Sequence, residues 1–506
     1  MKSFNLGKKR SVLSMSRARL DEAAIVQMAQ KLLYEQAMIT LDGQWIGAVA
    51  AIPKHSRKQP VQPELNYGEI FIRDNVPVMA YFLTQGKYEP VRHFLLTCLR
   101  LQSQEIQTRG IFPTSFLEQD GHVVADYGQR AIGRVVSVDA TLWWVILAYM
   151  YVRASGDRDF ASQASVQSGI QQFLDLILRP SFRKAPTLYV PDGAFMIDRP
   201  LDVWGAPLEI QVLLYGALHS AAGLMQIGSE SIHSQASGTQ DPNQRAKSKS
   251  YLFQTPHSVH HCLEYAHRLR QYLLKHYWVT SKTVQVLRRR PTEQYGVEIQ
   301  NEYNIHTETI PHWLQDWMGD RGGYLIGNIR TGRPDFRFFT LGNCLGAIFD
   351  VISVKQQQAL FRLVVQNQHD LVAHMPLRIC HPPLEGEDWR NKTGYDRKNL
   401  PWCYHNAGHW PCLMWFLAMA MLRRNHPEDL AIEVRQLLEV SYQLMLRQLP
   451  QQKWAEYFDG PTGNWIGQQA RNNQTWTIVG FLLMHHLLRV NGQDAHLLDV
   501  HYDTKL

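Results

Sequence analysis

Carboxylates set beside aromatic side chains recur along this chain, and they are the residues best suited to chemistry. The stretch WAEYFDG places Glu456 between aromatic neighbours Trp454 and Tyr457, with Asp459 close by. GAFMIDRPLDVWG places Asp198 behind Phe195, Met196 and Ile197, and PPLEGEDWR carries Glu385, Glu387 and Asp388 beside Trp389. Two carboxyls, one protonated and one ionised, are the usual requirement for hydrolysing a glycosidic bond. Apolar neighbours would raise the pKa of Asp198 and keep it protonated, as a general acid must be. Arg199 beside it pulls the other way, so the residues alone leave the sign open. They also do not single out which two carboxyls would act. A different chemistry competes at CYHNAGHWPC, where Cys403, His405, His409 and Cys412 are all capable zinc ligands. Their spacing does not match a zinc finger, and Trp410 and Pro411 would have to lie inside the loop. Buried thiols beside a sugar-binding histidine account better for the stretch.

The elements that must position these residues are mainly helical. Four runs are apolar on every face, and a helix of that kind is buried all round. They are VDATLWWVILAYMYV, PLEIQVLLYGAL, PCLMWFLAMAML and TWTIVGFLLMHHLL. Other segments are one-sided: Val434, Leu437, Leu438, Tyr442 and Met445 form one apolar stripe at helical spacing. Buried candidates begin near Pro77, Asp139, Pro207, Leu341, Pro411 and Thr475. Amphipathic candidates lie near 21–40, 88–105, 165–179, 258–276, 355–370 and 428–448. Six inner and six outer helices in alternation predict an all-α (α/α)6 toroid, a single catalytic domain over 21–495 with loop insertions. In such a ring the N-termini of the inner helices meet at one mouth, carrying free backbone N–H groups and partial positive charge. Pro77, Pro207 and Pro411 are read as the first residues of three of them. The side chains at or near those starts include Arg73 and Asp74; Asp139; Trp204 and Glu209; and Asn343. Tyr404, His405, Asn406, Arg471, Asn472, Asn473, Gln474 and Trp476 complete the set. Carboxylates, amides, an arginine and indoles gathered at one mouth suit sugar hydroxyls and the apolar face of a pyranose. The plainer reading makes Asp74 and Asp139 helix caps and Arg73–Asp74 a local ion pair.

Composition narrows the partners. The net charge of +7 is concentrated in residues 1–20, whose six basic residues and no acid leave +1 for the rest. A nearly neutral body is a poor phosphate-binding surface, so no nucleic-acid partner is expected. No stretch approaches 18 uninterrupted apolar residues, so no membrane span is expected either. The basic segment 1–20 lacks the apolar run of a secretory signal and reads as a short flexible tail in a cytoplasmic protein; an organelle transit peptide has the same composition. Six scattered cysteines fit reduced thiols. Residues 227–250, rich in Ser, Gln and Asn, read as a mobile surface insertion, 280–306 as an excursion at one end of the ring, and 496–506 as a C-terminal tail.

Eight stretches carry a resemblance: NYGEIFIRDNVP, IGRVVSVDATLWW, DGAFMIDRPLDVWGAPLEIQ, RGGYLIGNI, DFRFFTLGN, MPLRICHPPLEGEDWR, YHNAGHWP and WAEYFDG with GQQARNNQTW. In this order, from about 66 to 490, they resemble the alkaline/neutral invertases, glycoside hydrolase family 100. The resemblance implies hydrolysis of sucrose to glucose and fructose on an (α/α)6 fold, with inversion, no metal or other cofactor, and assembly into homo-oligomers. By motif it puts the general acid on Asp198 and the general base on Glu456. It puts Arg73, Asp74, Asp139, Gln211, Glu385, Trp389, His405, Asn406, Arg471 and Gln474 on the sugar-binding wall, with Arg471 toward the fructosyl side. Cys403, His409, Cys412 and the 227–250 segment are not part of the family pattern. Against this stand an inverting glucosidase acting on another α-glucoside such as trehalose, and a non-catalytic sugar-binding toroid. A zinc-dependent cyclase on a similar ring is the third alternative.

Overall fold

The structure, a computed structural model, describes residues 21–53, 66–130, 135–178, 185–238, 257–288, 310–330 and 333–502. The basic segment 1–20, and the parts of the expected insertions at 239–250 and 289–306, lie outside those residues. Twelve helices alternate between two layers. The outer ones are α1 (Glu22–Leu32), α3 (Tyr88–Arg100), α5 (Ala164–Ile177), α7 (Val259–His276), α9 (Val354–Gln366) and α11 (Glu428–Gln448). The inner ones are α2 (Ile72–Thr84), α4 (Val138–Ser155), α6 (Leu208–Gly238), α8 (Thr340–Ile348), α10 (Met414–Leu422) and α12 (Thr475–His485). Each inner helix packs on the next, and α12 packs back on α2, which closes the ring. Outer helices cover it, α1 on α12 and α7 on α6 among them. The inner helices approach closely: a Cβ on Gly223 of α6 would sit 2.4 Å from the ring of Tyr149 on α4.

The stretch Leu208–Ser231 of α6 is long and apolar enough to cross a membrane by length and composition, but 89% of its apolar window is buried inside the ring. Short strands decorate the mouth and rim. The largest sheet is built on the antiparallel hairpin Gly323–Arg330 and Arg333–Phe339, flanked by Cys380–His381 and Ala206–Pro207. Trp278–Thr280, the start of the expected excursion, also pairs with it, and the chain then forms the helix Ser281–Arg288.

Four local expectations change. Pro77 is not the first residue of α2 but lies inside it, because Phe71 is held as a strand residue against Ser115 and the helix starts directly after. Arg73 and Asp74 are therefore in the first turn rather than before it. Pro207 likewise closes a two-residue strand ahead of α6, whereas Pro411 does open a 3-10 turn that leads into α10. The segment from 227 is no loop as far as Gly238. It continues α6, since Glu230 is fixed by Gln226, Arg158 and Tyr502 and tertiary docking overrides a middling helix composition. Residues 496–502 are also docked rather than loose. Arg153 and Arg423 bond Asp499, the His501 carbonyl accepts from Tyr149, and Leu498 and Val500 are buried. This segment straps the end of the ring where the inner helices finish.

Candidate active site

Four inner-helix N-termini and the loops beside them enclose a pocket in which buried carboxyls stand among aromatic and apolar side chains. Arg73 and Asp74 come from the first turn of α2, Ser137 precedes α4, Trp410 precedes α10, and Gln474 and Trp476 stand at the start of α12. Asp198 enters from a loop wound around Asp192, whose carboxylate accepts the N–H groups of Leu201, Asp202 and Val203. Glu456 enters from the crossing ahead of α12, its own N–H bonded to the Arg471 carbonyl. Tyr67, Phe195, Met196, Tyr404 and His405 also line it.

The electrostatics are those of carboxyls crowded out of water. Burial lifts Asp198 above the usual carboxylate range against Arg73, Lys398, a Tyr404 hydrogen bond and Arg199, so the sign left open by the sequence is upward. Arg199 itself is engaged elsewhere, its Nη1 donating to both Asp396 oxygens at 2.9 and 3.0 Å. Burial also lifts Glu456 to about 7 and Asp74 to about 7. Glu456 accepts only long hydrogen bonds: Tyr67 at 3.3 Å, and Gln474 and the Arg471 N–H at 3.4 Å. Lys398 is pushed down by burial while Glu456 and Asp198 oppose the shift. Burial, then Lys398, Arg73 and Arg199, hold His405 far below its ordinary value and hence neutral.

Of the twelve site residues read from the sequence, Asp198, Glu456, Arg73, Asp74, His405 and Gln474 line the pocket together. Arg471 lies at its edge with its guanidinium over the Tyr67 ring, 4.8 Å from the centroid. Asp139 is fully buried behind the wall, where it binds Arg73 at 2.8 Å; Arg73 is thus paired with Asp139 and not with Asp74. Neither aspartate caps its helix, since both lie within the first turn. Gln211 and Asn406 do not face the pocket. The Gln211 amide closes a ring of two hydrogen bonds, each 2.8 Å, with the N–H and C=O of Leu188. Asn406 does the same to Leu384, as Asn75 does to Ala48 and Asn343 to Leu325. Glu385 is exposed and accepts from the Trp402 indole, while half-buried Trp389 donates to the Asn399 carbonyl. Both buttress the turn that carries Lys398 rather than lining the pocket.

The zinc donors do not come together. His409 Nδ1 is held 2.5 Å from the Met375 carbonyl, and His405 is stacked between Tyr404 and Trp410. Among the described residues no three His, Cys, Asp or Glu side chains are arranged to hold a metal. Sequence reasoning passed over Tyr67 and Lys398 and placed Tyr404 only among the mouth residues, although all three touch or face the two carboxyls.

The pattern of alkaline and neutral invertases matches residues 29–491. This chain belongs to that family. A neutral/alkaline invertase named as mitochondrial from Oryza sativa subsp. japonica is 38% identical over 475 residues, covering 90% of this chain and 70% of its own length. Alkaline/neutral invertase E of Arabidopsis thaliana, named as chloroplastic, is 36% identical over 94% of this chain and 73% of its own. A glycosidase variant solved in complex with glucose superposes with a TM-score of 0.50 at 10% identity, covering 94% and 97% of the two chains. That likeness shows the toroid and nothing finer. Membership makes this invertase a glycoside hydrolase, with sucrose hydrolysis as the activity of the family.

Proposed function

We propose that the pocket cleaves sucrose at the glucosyl C1 with inversion, using Asp198 as general acid and Glu456 as general base. Asp198 transfers its proton to the bridging oxygen as the bond from that oxygen to C1 breaks. Glu456 takes a proton from a water whose oxygen bonds to C1 on the opposite face. The products are β-glucose and fructose, and the transition state between them is oxocarbenium-like. One observation carries this reading: Asp198 and Glu456, on separate loops, share one pocket, and burial raises both. The acid must hold a proton and the base must lose one, so a base at about 7 suits work at neutral to alkaline pH. Asp74 lines the pocket with a carboxylate that accepts no protein hydrogen bond among the described residues, and it is left to accept glucose hydroxyls once ionised. His405 and Gln474 complete that subsite, and Arg471 serves the fructosyl side, its fork suited to two hydroxyls.

A proton NMR time course on sucrose tests the assignment. β-Glucose is expected first, with Asp198→Asn and Glu456→Gln folded but at least about a hundred-fold slower. α-Glucose appearing first would mean retention and a wrong role for Glu456, and untouched sucrose would mean a different substrate. We also propose a cytosolic enzyme working as a homo-oligomer. Light scattering on the purified protein checks the assembly, and import of a reporter fused to residues 1–40 would overturn the location.

A further inference from the structure

The two oxygens of Asp198 have different surroundings. Oδ1 accepts a hydrogen bond from the Tyr404 hydroxyl at 3.0 Å, and His405 Nδ1 stands 3.5 Å from the same oxygen. Among the described residues no protein group donates to Oδ2. We propose that Tyr404 is a positioning residue for the general acid: by occupying Oδ1 it confines the acid proton to Oδ2, the oxygen left for a bound glycoside. The inference rests on Asp198 being the acid.

Tyr404 is held at every group it has. Its N–H donates to Asp459 Oδ1 at 2.9 Å, and the other Asp459 oxygen accepts from the Gln468 N–H at 2.8 Å. Asp459, a candidate for chemistry in the sequence, is thus an anchor for the Tyr404 backbone. The Tyr404 carbonyl accepts from the Trp410 indole at 3.1 Å. The ring stacks on His405 at 3.9 Å, and Lys398 Nζ lies 3.9 Å from the ring centroid. The residue sits at a φ of 47°, a left-handed conformation that a tyrosine adopts only when its surroundings impose it. Burial keeps the phenol protonated, so it always has a hydrogen to give.

The hydrogen bond changes strength as the reaction proceeds. Before transfer Tyr404 donates to the carbonyl oxygen of a neutral acid. After Asp198 has passed its proton from Oδ2 to the bridging oxygen, Tyr404 donates to a carboxylate. A charge-assisted bond is stronger, so the contact favours the transferred state over the ground state.

The test compares sucrose with α-D-glucosyl fluoride, whose fluoride leaves without a proton. Tyr404→Phe is expected to lose about ten- to a hundred-fold in kcat on sucrose, with a far smaller loss on the fluoride. Its alkaline limb also moves to higher pH, because a donor that favoured the ionised acid is gone. The other titratable groups facing Asp198 (Arg73, Arg199, Lys398, His405, Glu456, Asp74 and Tyr67) are unchanged in that comparison. Equal loss on both substrates with an unmoved limb, in a variant that melts normally, overturns the inference. If the variant does not fold, 3,5-difluorotyrosine at 404 keeps the ring and strengthens the donor. The alkaline limb should then move down, and an unmoved limb overturns the inference. Asp198→Asn separates the two readings: if it too loses the fluoride, the acid assignment has failed and not only the role of Tyr404.

Discussion

Glu456 is 3% exposed, yet its carboxylate is met only by donors at 3.3 to 3.4 Å. A base held this loosely is costly to ionise, and the cost falls on the folded state. With a folded pKa of about 7 against an ordinary 4.5, the native protein keeps a proton that the unfolded chain has already released. Stability therefore falls as pH rises through that window. Asp74 at about 7 and Glu209, lifted to about 8 by burial and then by Asp139, act in the same direction. Glu456→Gln removes one share. It should be more stable than the native chain by on the order of 3 kcal/mol at pH 8 and indistinguishable at pH 4. Urea melts at the two pH values check this, and equal stabilities at both would refute it. The same residue marks what was legible at this scale. Its neighbours Trp454 and Tyr457 made it a candidate, but Asp459 was equally eligible, because burial and distance decide between them and neither is written in spacing. Tyr67 and Lys398 carry no local signal at all; they matter only because the ring brings them to the carboxyls.

Asn75, Gln211, Asn343 and Asn406 show how an element can imitate a site. A carboxamide presents one donor and one acceptor side by side, the complement of a peptide group and also of a pair of sugar hydroxyls. In this fold all four pair with a backbone: Ala48, Leu188, Leu325 and Leu384. Three of them sit one turn into inner helices and stitch α2, α6 and α8 to the preceding loops. Gln211→Met keeps the volume and strands the Leu188 N–H and C=O. A loss of about 2–4 kcal/mol is expected, with an unchanged KM for sucrose, whereas a sugar-binding Gln211 would raise KM. The twelve helices themselves were readable, since an inner helix is apolar on every face and an outer one on a single stripe. Their boundaries were less so. Pro77 looked like a helix start because proline suits the first turn, and the pairing of Phe71 with Ser115, remote in sequence, moved that start forward. The overrun of α6 to Gly238 depends on Tyr502 and Arg158, which no window around residue 230 contains.

The ring separates its duties by end. Helix N-termini form the pocket, and helix C-termini are tied together by the strap. There Asp499 is bonded by Arg423 and Arg153, and Arg423 and Arg424 also hold Asp350. Positive side chains at that end also suit the negative ends of the helix dipoles. Deleting residues 497–506 should lower the melting temperature by on the order of 5 °C and leave kcat/KM at 25 °C within about two-fold. A scanning melt and an initial-rate assay decide it; a large loss of activity without a change in melting would mean that the strap reaches the pocket. The closure of this ring also dictates how the enzyme must be born. Tyr67 meets Glu456 across 389 residues, and α12 packs on α2. As the chain leaves the ribosome, the early helices have no partner on one side until the last ones emerge, and contacts this remote in sequence form slowly. A growing chain therefore has no active pocket before α12 is made, and it must be kept from aggregating until then.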